Sequence, residues 1–535
     1  MACLALAFLC GCASLPPPEP RAPQYALKDV DSTRLGRLVA AAQQGQPSHS
    51  GFRLVVSGED AFGTLATLAD SAQRTLDLQY YIVENDDSAR ALLARVRAAA
   101  DRGVKVRLLL DDMNTSGDDG WLLRLTNHPN IEVRLYNPFP AGRFSTLARV
   151  AASLHDIRRI NHRMHMKMFV ADNVLAMTGG RNLGDAYFVH SASSNFVDLD
   201  VIVAGRAVRG LSAAFDRFWN DPLAYPVTEV ASAPPSENRL NPKLAPASHP
   251  STRGDRPSAS PALDLATVLR WNRLAKELAS NHVELTWAHA SVVADKPLDP
   301  DAAGDATQPV ADQVADLMGS VRKELKIISP YFVPGREGMA LFSGLARRGV
   351  ELQILTNSLA TTDAPAVHIG YSRYREGLLD IGAQLYELRP RLDEGSRHIA
   401  RIGSFGSSQA SLHAKALVLD RQVAIVGSMN MDPRSARLNS EIGLVIRSPA
   451  LAEQLSQLFD DVARDGSYRV EFDGDRRLQW SAALPADGPP AAALANGADA
   501  PAQTGRVILH EEPEASAWRK FTLLLLTPFA PEEML

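Results

Sequence analysis

His165-Met-Lys167-Met-Phe-Val-Ala-Asp172 leads, through a further apolar stretch, to Gly179-Gly180-Arg181-Asn182. The same order of residue types returns as His413-Ala-Lys415-Ala-Leu-Val-Leu-Asp420 and Gly427-Ser428-Met429-Asn430. A lone H-x-K-x-x-x-x-D arises by chance in many chains and carries little. Two copies whose lysine and asparagine stand 15 residues apart in both cases (167 to 182, 415 to 430) exclude incidental surface polarity. Each apolar octet reads as a strand, on which residues i and i+2 share a face. His and Lys of each copy are thus expected to project together into one site, with the Asp at the strand-to-turn corner.

The flanking chain repeats too. Thr75-Leu-Asp-Leu-Gln-Tyr-Tyr-Ile-Val83 reads as a buried strand, followed by a helical stretch through Ala91, Leu92, Leu93, Val96 and Ala99, the stop Arg102-Gly103, and the strand Val104-Lys-Val-Arg-Leu-Leu-Leu110. Leu325-Lys-Ile-Ile-Ser-Pro-Tyr-Phe-Val333, a helical stretch with Leu341, Leu345 and Ala346, Arg348-Gly349 and Val350-Glu-Leu-Gln-Ile-Leu355 follow the same plan. Both are β-α-β units with parallel strands. The fold class is therefore α/β: duplicated lobes, each a mixed β-sheet flanked by helices, related by a pseudo-twofold axis with one site between them.

These features resemble the paired HKD motifs of the phospholipase D superfamily, and within it the bacterial cardiolipin synthases of the C-type branch. Supporting words are Leu76-Asp-Leu-Gln-Tyr-Tyr-Ile82, Arg107-Leu-Leu-Leu-Asp-Asp112, Gly179-Gly-Arg-Asn-Leu-Gly-Asp-Ala-Tyr187, Leu355-Thr-Asn-Ser-Leu359 and Ser428-Met-Asn-Met-Asp-Pro-Arg-Ser435. The resemblance spans most of residues 55–480 and recurs in the Trp-containing tail. It implies phosphatidyl transfer through a covalent phosphohistidine, without metal or other cofactor. His165 is then the nucleophile and His413 the general acid/base. Lys167, Lys415, Asn182 and Asn430 hold the phosphate oxygens. Downstream in each lobe the family places an acidic partner for a histidine, here Asp198 and Glu441, with Asp200 two residues on as an alternative to Asp198. Asp172 and Asp420 complete the catalytic motif, although at strand-to-turn corners their carboxylates suit backbone groups better than substrate. The implied partners are phosphatidylglycerol, phosphatidylethanolamine as phosphatidyl donor, and a membrane surface. Rival readings are a phospholipase D yielding phosphatidic acid, an HKD nuclease, and a lipid-binding scaffold.

Other polar clusters read as structure. His162 with His165 forms HxxH but lacks a third ligand at helical spacing. Asp111-Asp112 at a βα corner is a cap rather than a magnesium pair. Gly180 stands where the second copy has Ser428, so the two halves differ by one hydroxyl donor. His368-Ile-Gly-Tyr371-Ser-Arg373-Tyr374-Arg375 reads either as a lining of the lipid entrance or as an ordinary amphipathic helix.

The 535 residues are 45% hydrophobic, 22% charged and 6% aromatic, with 61 acidic and 56 basic side chains for a net charge of −5. That profile excludes disordered and disulfide-rich classes, and no global positive field argues for a nucleic-acid partner. The three cysteines are Cys3, Cys10 and Cys12, so neither a disulfide nor a thiolate site can form beyond residue 12. The apolar start ending in Leu9-Cys10-Gly11-Cys12 resembles a bacterial lipobox with Cys12 as the lipidated residue, although no Lys or Arg precedes it. Pro16-Pro17-Pro18-Glu19-Pro20 then suits a stiff spacer. The location this implies is the bacterial cell envelope, as a lipid-anchored lipoprotein facing the periplasm.

The expected organisation is a signal segment (1–12), a spacer (13–50), the first lobe (51–225), a Pro/Ser-rich linker (226–262), the second lobe (263–480), an Ala/Pro-rich linker (481–505) and an apolar tail (506–535). In the tail, Ala517-Trp-Arg-Lys-Phe-Thr-Leu-Leu-Leu-Leu526 suits either an interfacial membrane helix or a helix capping one lobe.

Overall fold

The computed structural model describes residues 14–43, 45–153, 156–231, 265–298, 309–392, 408–483 and 506–526. Cys12, the linker stretches 232–264 and 484–505, and the last residues of the tail lie outside the described residues.

The first lobe carries β1 (Ser50–Val55), β2 (Thr75–Tyr80), β3 (Lys105–Asp111), β4 (Ile131–Tyr136), β5 (Arg163–Met164), β6 (Met168–Ala171), β7 (Leu175–Gly179), β8 (Ser194–Val197), β9 (Asp200–Gly205) and β10 (Ala224–Pro226). The second carries β11 (Thr286–Ala294), β12 (Glu324–Ile328), β13 (Glu351–Asn357), β14 (Gln384–Leu388), β15 (Gln409–Leu412), β16 (Ala416–Leu419), β17 (Val423–Gly427), β18 (Asn439–Ser440), β19 (Ile442–Arg447), β20 (Ser467–Phe472), β21 (Leu478–Ala483) and β22 (Arg506–Leu509). In the first sheet the order is β10-β4-β3-β2-β6-β7-β9-β1, with β4, β3 and β2 parallel and the rest antiparallel. The second repeats it as β20-β14-β13-β12-β16-β17-β19-β11, extended beyond β20 by β21 and β22. The matching edge strands β1 and β11 pair antiparallel with each other, as a twofold requires, and join the two sheets.

Each β-α-β unit forms for local reasons. The helix Asp87–Asp101 begins where the Asp86 side chain accepts from the Ala89 amide, and it buries Leu92, Leu93, Val96, Ala99 and Ala100 against the sheet. It stops at Gly103, whose φ of 97° suits a residue without Cβ; Gly349 closes the matching helix Gly335–Arg347 in the same way, with φ 79°. One core lies under the helices of the first lobe and a second under those of the other. A third core lies between the lobes, where Met164, Met166, Met168 and Val170 join Leu412, Ala414, Ala416 and Val418.

The structure moves several boundaries. Residues 226–231 are ordered chain, ending β10 and forming a helical turn Val227–Val230, because β10 pairs with β4. The helices Leu265–Trp271 and Arg273–Ala279 fall in sequence at the start of the second lobe but pack on the first. There Asn272 Nδ2 donates to Asp60 Oδ1 at 2.8 Å and Arg53 Nη1 lies 2.7 Å from Glu277 Oε1. The nominal spacer contains a helix, Arg34–Ala42, that buries Leu35, Leu38 and Val39 in the first lobe's core. The tail supplies β22 to the second sheet. Its Glu512 then enters a buried cluster with Arg375 (2.9 Å) and His368 (3.3 Å), while Arg375 also meets Glu387 at 3.1 Å. The His368–Arg375 stretch thus fastens the tail to the second lobe rather than lining an entrance.

Candidate active site

The H-x-K motifs do not lie within one continuous strand. His165 and Lys167 occupy the gap between β5 and β6, and His413 and Lys415 the gap between β15 and β16. The reason is that β5 and β15 belong to two small ladders that cross between lobes. β5 pairs with β18 of the second lobe, and β8 of the first pairs with β15. At the end of each ladder the His165 amide donates to Ser440 O (2.9 Å) and the His413 amide to Val197 O (2.8 Å). The next residues, Glu441 and Asp198, therefore face histidines of the opposite lobe.

The acidic partners are accordingly exchanged. His165 Nδ1 lies 3.0 Å from both oxygens of Glu441, and His413 Nδ1 lies 2.6 Å from Asp198 Oδ2. A carboxylate can only accept, so each Nδ1 carries the proton and each Nε2 keeps its lone pair. Asp200, the alternative partner, instead meets Arg181 Nε at 3.4 Å. Arg181 also donates through Nη2 to the Asp198 carbonyl at 2.9 Å, bracing that stretch from beneath.

The halves support their carboxylates differently. Ser428 Oγ donates to Glu441 Oε2 at 2.5 Å, Ser435 Oγ to Oε1 at 2.9 Å, and Asn439 Nδ2 to Oε1 at 3.3 Å. Asp198 Oδ1 accepts from the Leu199 amide at 2.8 Å. A Cβ on Gly180 would stand 2.1 Å from Asp198 Oδ1, so glycine is required where the second lobe has Ser428. The shorter carboxylate and the missing hydroxyl fit each other.

Lys167 and Lys415 each donate to the carbonyl of their own histidine, both at 2.5 Å, which leaves further ammonium hydrogens for a ligand. Tyr81 packs edge-on to His165 at 5.0 Å, while Tyr187 and Phe196 lie 5.4 and 5.0 Å from His413. Asn182 is engaged on both sides: Oδ1 accepts from the Ile82 amide (3.1 Å) and Nδ2 donates to the Tyr187 hydroxyl (2.9 Å). Asn430 Oδ1 is buried without a partner among the described residues.

Asp172 and Asp420 are turned away from the reacting groups. Asp172 accepts from the Gln73, Arg74 and Thr75 amides, and Asp420 from those of Arg322, Lys323 and Glu324. Both residues have positive φ, 53° and 52°. Their inclusion in the catalytic set is corrected accordingly: each caps the start of β2 or β12, with charge-assisted bonds worth about 1.5–3 kcal/mol apiece. Asp111 is also structural. It caps the turn at Met113 and meets Arg163 Nη2 at 2.7 Å.

Burial dominates the electrostatics. It pulls His165 down to about 4 against the opposing pull of Glu441, so the imidazole is neutral at physiological pH. His413 is lowered by burial and by Lys415, with Asp198 opposing. Burial brings Lys167 down to about 7 and lowers Lys415. Asp198 is held below the ordinary carboxylate range because His413, Lys415 and Arg181 outweigh its burial, whereas burial pushes Asp200 up.

Of these groups, Ser435, Tyr81, Tyr187, Phe196 and the bracing role of Arg181 escaped the sequence reading. Ser435 was visible as a hydroxyl six residues before Glu441, but its reach depends on the short helix Pro433–Arg437. Tyr81, just past the end of β2, Tyr187, in a helical turn, and Phe196, within β8, offered no signal beyond being aromatic.

Residues 65–219 and 314–463 match the family described as cardiolipin synthase, PLD-like domain. Cardiolipin synthase C of Escherichia coli (strain K12) is 36% identical over 502 residues, which cover 94% of this chain and 99% of that protein. A cardiolipin synthase of Staphylococcus aureus (strain Mu50 / ATCC 700699) is 24% identical over 418 residues, 77% of this chain and 67% of that one. Among solved structures, phosphatidylserine synthase of Haemophilus influenzae Rd KW20 superposes with a TM-score of 0.52 at 15% identity, covering 80% of this chain and 91% of that chain. The likeness to this last protein is one of fold.

Proposed function

Because this chain belongs to the cardiolipin synthase family with PLD-like domains, we propose that it is a phosphatidyltransferase making cardiolipin from phosphatidylglycerol and a phospholipid donor, phosphatidylethanolamine. The observation that carries the reading is the pair of buried histidine–carboxylate contacts exchanged between lobes, each beside a lysine.

Neutral His165 attacks the donor phosphorus through Nε2. His413 enters this step as the imidazolium, with a second proton on Nε2 and Asp198 beside its Nδ1–H. As the P–O bond to the headgroup breaks, the Nε2 proton goes to the departing oxygen, releasing ethanolamine and leaving His413 neutral. A glycerol hydroxyl of phosphatidylglycerol then gives its proton to His413 and bonds to phosphorus as the P–N bond breaks, freeing His165. Burial lowers both histidines, so the assignment of roles rests on the contacts: the 2.6 Å contact with Asp198, shorter than the 3.0 Å contacts of His165 with Glu441, suits His413 to holding the extra proton. Lys167 and Lys415 direct their remaining donors at the non-bridging oxygens as charge builds there.

The enzyme works at a membrane surface. Among the described residues no helix is long and apolar enough to cross a bilayer. Among the described residues, six of the eight exposed large apolar side chains belong to two segments: Phe144, Leu147 and Ile157 beyond the end of β4, and Trp518, Phe521 and Leu525 on the helix Ala517–Leu526. That helix carries Arg519 and Lys520 and no acidic residue, in a chain of net charge −5, which suits an anionic lipid surface. A lipid anchor at Cys12 would add a second attachment.

The test uses protein lacking residues 1–12 with vesicles of phosphatidylethanolamine and phosphatidylglycerol, separately and mixed, beside His165→Ala and His413→Ala. Cardiolipin and ethanolamine formed only in the mixture, and lost in both variants, is the expected result by mass spectrometry. Phosphatidic acid from either lipid alone would instead make the protein a hydrolase.

A further inference from the structure

The two halves of the site differ in how a tyrosine beside each is partnered. On the His413 side the Tyr331 hydroxyl donates to Asp363 Oδ2 at 2.8 Å. Tyr331 is fixed beside the site, since its carbonyl accepts from the Met431 amide at 3.2 Å, next to Asn430, and from Ser329 Oγ at 2.6 Å. Asp363 is exposed, yet it acts electrostatically on His413, Lys415 and Tyr187. Among the described residues no cation lies within ion-pair distance of it. Arg519, the neighbouring guanidinium, gives its Nη1 donors to the carbonyls of Leu359 (2.7 Å) and Thr362 (2.9 Å).

Among the described residues of the first lobe no tyrosine–carboxylate pair takes the corresponding place. The backbone bonds that place Tyr331 against Met431 place Ile82 against Leu183, so Ile82 stands where Tyr331 does. The adjacent Tyr81 turns its hydroxyl to the neutral amide of Asn114.

A carboxylate with no ion pair of its own beside a phosphodiester site repels the substrate's anionic phosphate, unless the substrate brings a cation to the same place. We propose that Asp363, oriented by Tyr331, is a subsite for the primary ammonium of a zwitterionic phospholipid headgroup on the leaving-group side of His413. This rests on the phosphatidyltransferase reading and on His413 as the acid that protonates the departing alcohol. An ammonium two carbons from that oxygen can donate to Asp363 while the oxygen faces His413. The headgroup then departs as an aminoalcohol, its new hydroxyl proton coming from His413. An incoming glycerol diol is uncharged and needs no counter-ion there, so the subsite sorts donor from acceptor.

The experiment supplies phosphatidylethanolamine and phosphatidylglycerol with distinguishable deuterated acyl chains. The donor of each phosphatidyl group in cardiolipin or phosphatidic acid is then read by mass spectrometry, for wild type, Asp363→Asn and Tyr331→Phe. Asp363→Asn should lower the ratio of kcat/KM for the ethanolamine donor over the glycerol donor by about tenfold, mainly through KM. Tyr331→Phe keeps the charge and should keep most of the preference. An equal loss for both donors would assign Asp363 to the tuning of His413 and overturn the subsite, as would an unchanged ratio. A wild-type protein inactive on both lipids would overturn the functional reading itself, and the subsite with it.

Discussion

Lys167 is the residue on which the site registers its charge balance. Burial draws its ammonium down to about 7, Glu441 pulling the other way and Lys415 adding repulsion. A phosphodiester anion placed between the lysines favours the protonated form, so binding is linked to proton uptake wherever free Lys167 is neutral. The sign follows: affinity is flat below about pH 6 and falls as pH rises past about 7, by up to about tenfold per pH unit. Dimethyl phosphate keeps its charge over this range, so calorimetric titration from pH 6 to 9 reads the protein alone. An affinity unchanged up to pH 9 would mean that Lys167 is already charged in the empty site. At this scale the sequence displayed the histidines, lysines and both acidic partners by type and spacing. It could not display Ser435 or Tyr81 as neighbours, because their proximity depends on where a short helix and a strand end point.

At the scale of elements, the C-terminal helix docks on one lobe and leaves one apolar face outward. Its Arg519 is half-buried on the Leu359 and Thr362 carbonyls, so the helix docks on the second lobe. Trp518, Phe521 and Leu525, at i, i+3 and i+7, form the face left to solvent, with Trp518 72% exposed. Inserting such side chains into a bilayer interface contributes about 1.5–3 kcal/mol each when fully buried. The double substitution Trp518→Ser with Phe521→Ser should therefore weaken sedimentation with phosphatidylglycerol vesicles by at least about tenfold. Turnover of a soluble short-chain phospholipid should be retained. Unchanged vesicle binding would place the membrane contact elsewhere. Periodicity and the Gly103 and Gly349 stops made the β-α-β units legible. The break between β5 and β6 was not, because eight apolar-rich residues read alike whether the strand runs through or changes partner midway.

Across the whole molecule, each catalytic unit is assembled from both lobes: His165 with Glu441, His413 with Asp198. Residues acting as one unit are non-additive when removed. Glu441→Gln alone should lower kcat by about 10²–10⁴-fold, but by no more than about twofold when His165 is already Ala. Additive losses in this cycle would mean that the two residues work independently. The duplication, the α/β class and the paired histidines and lysines as candidates were legible in the sequence, since spacing and periodicity survive in one dimension. Which carboxylate serves which histidine was decided only in the tertiary structure. Both acidic residues lie at comparable distances downstream, and only the ladders β5–β18 and β8–β15, crossing the pseudo-twofold axis, carry each one to the opposite lobe. The surroundings of Asp363 were decided there too: it is one exposed acid among many in the sequence until the Tyr331 hydroxyl donates to it, whereas Tyr81 of the first lobe meets the amide of Asn114.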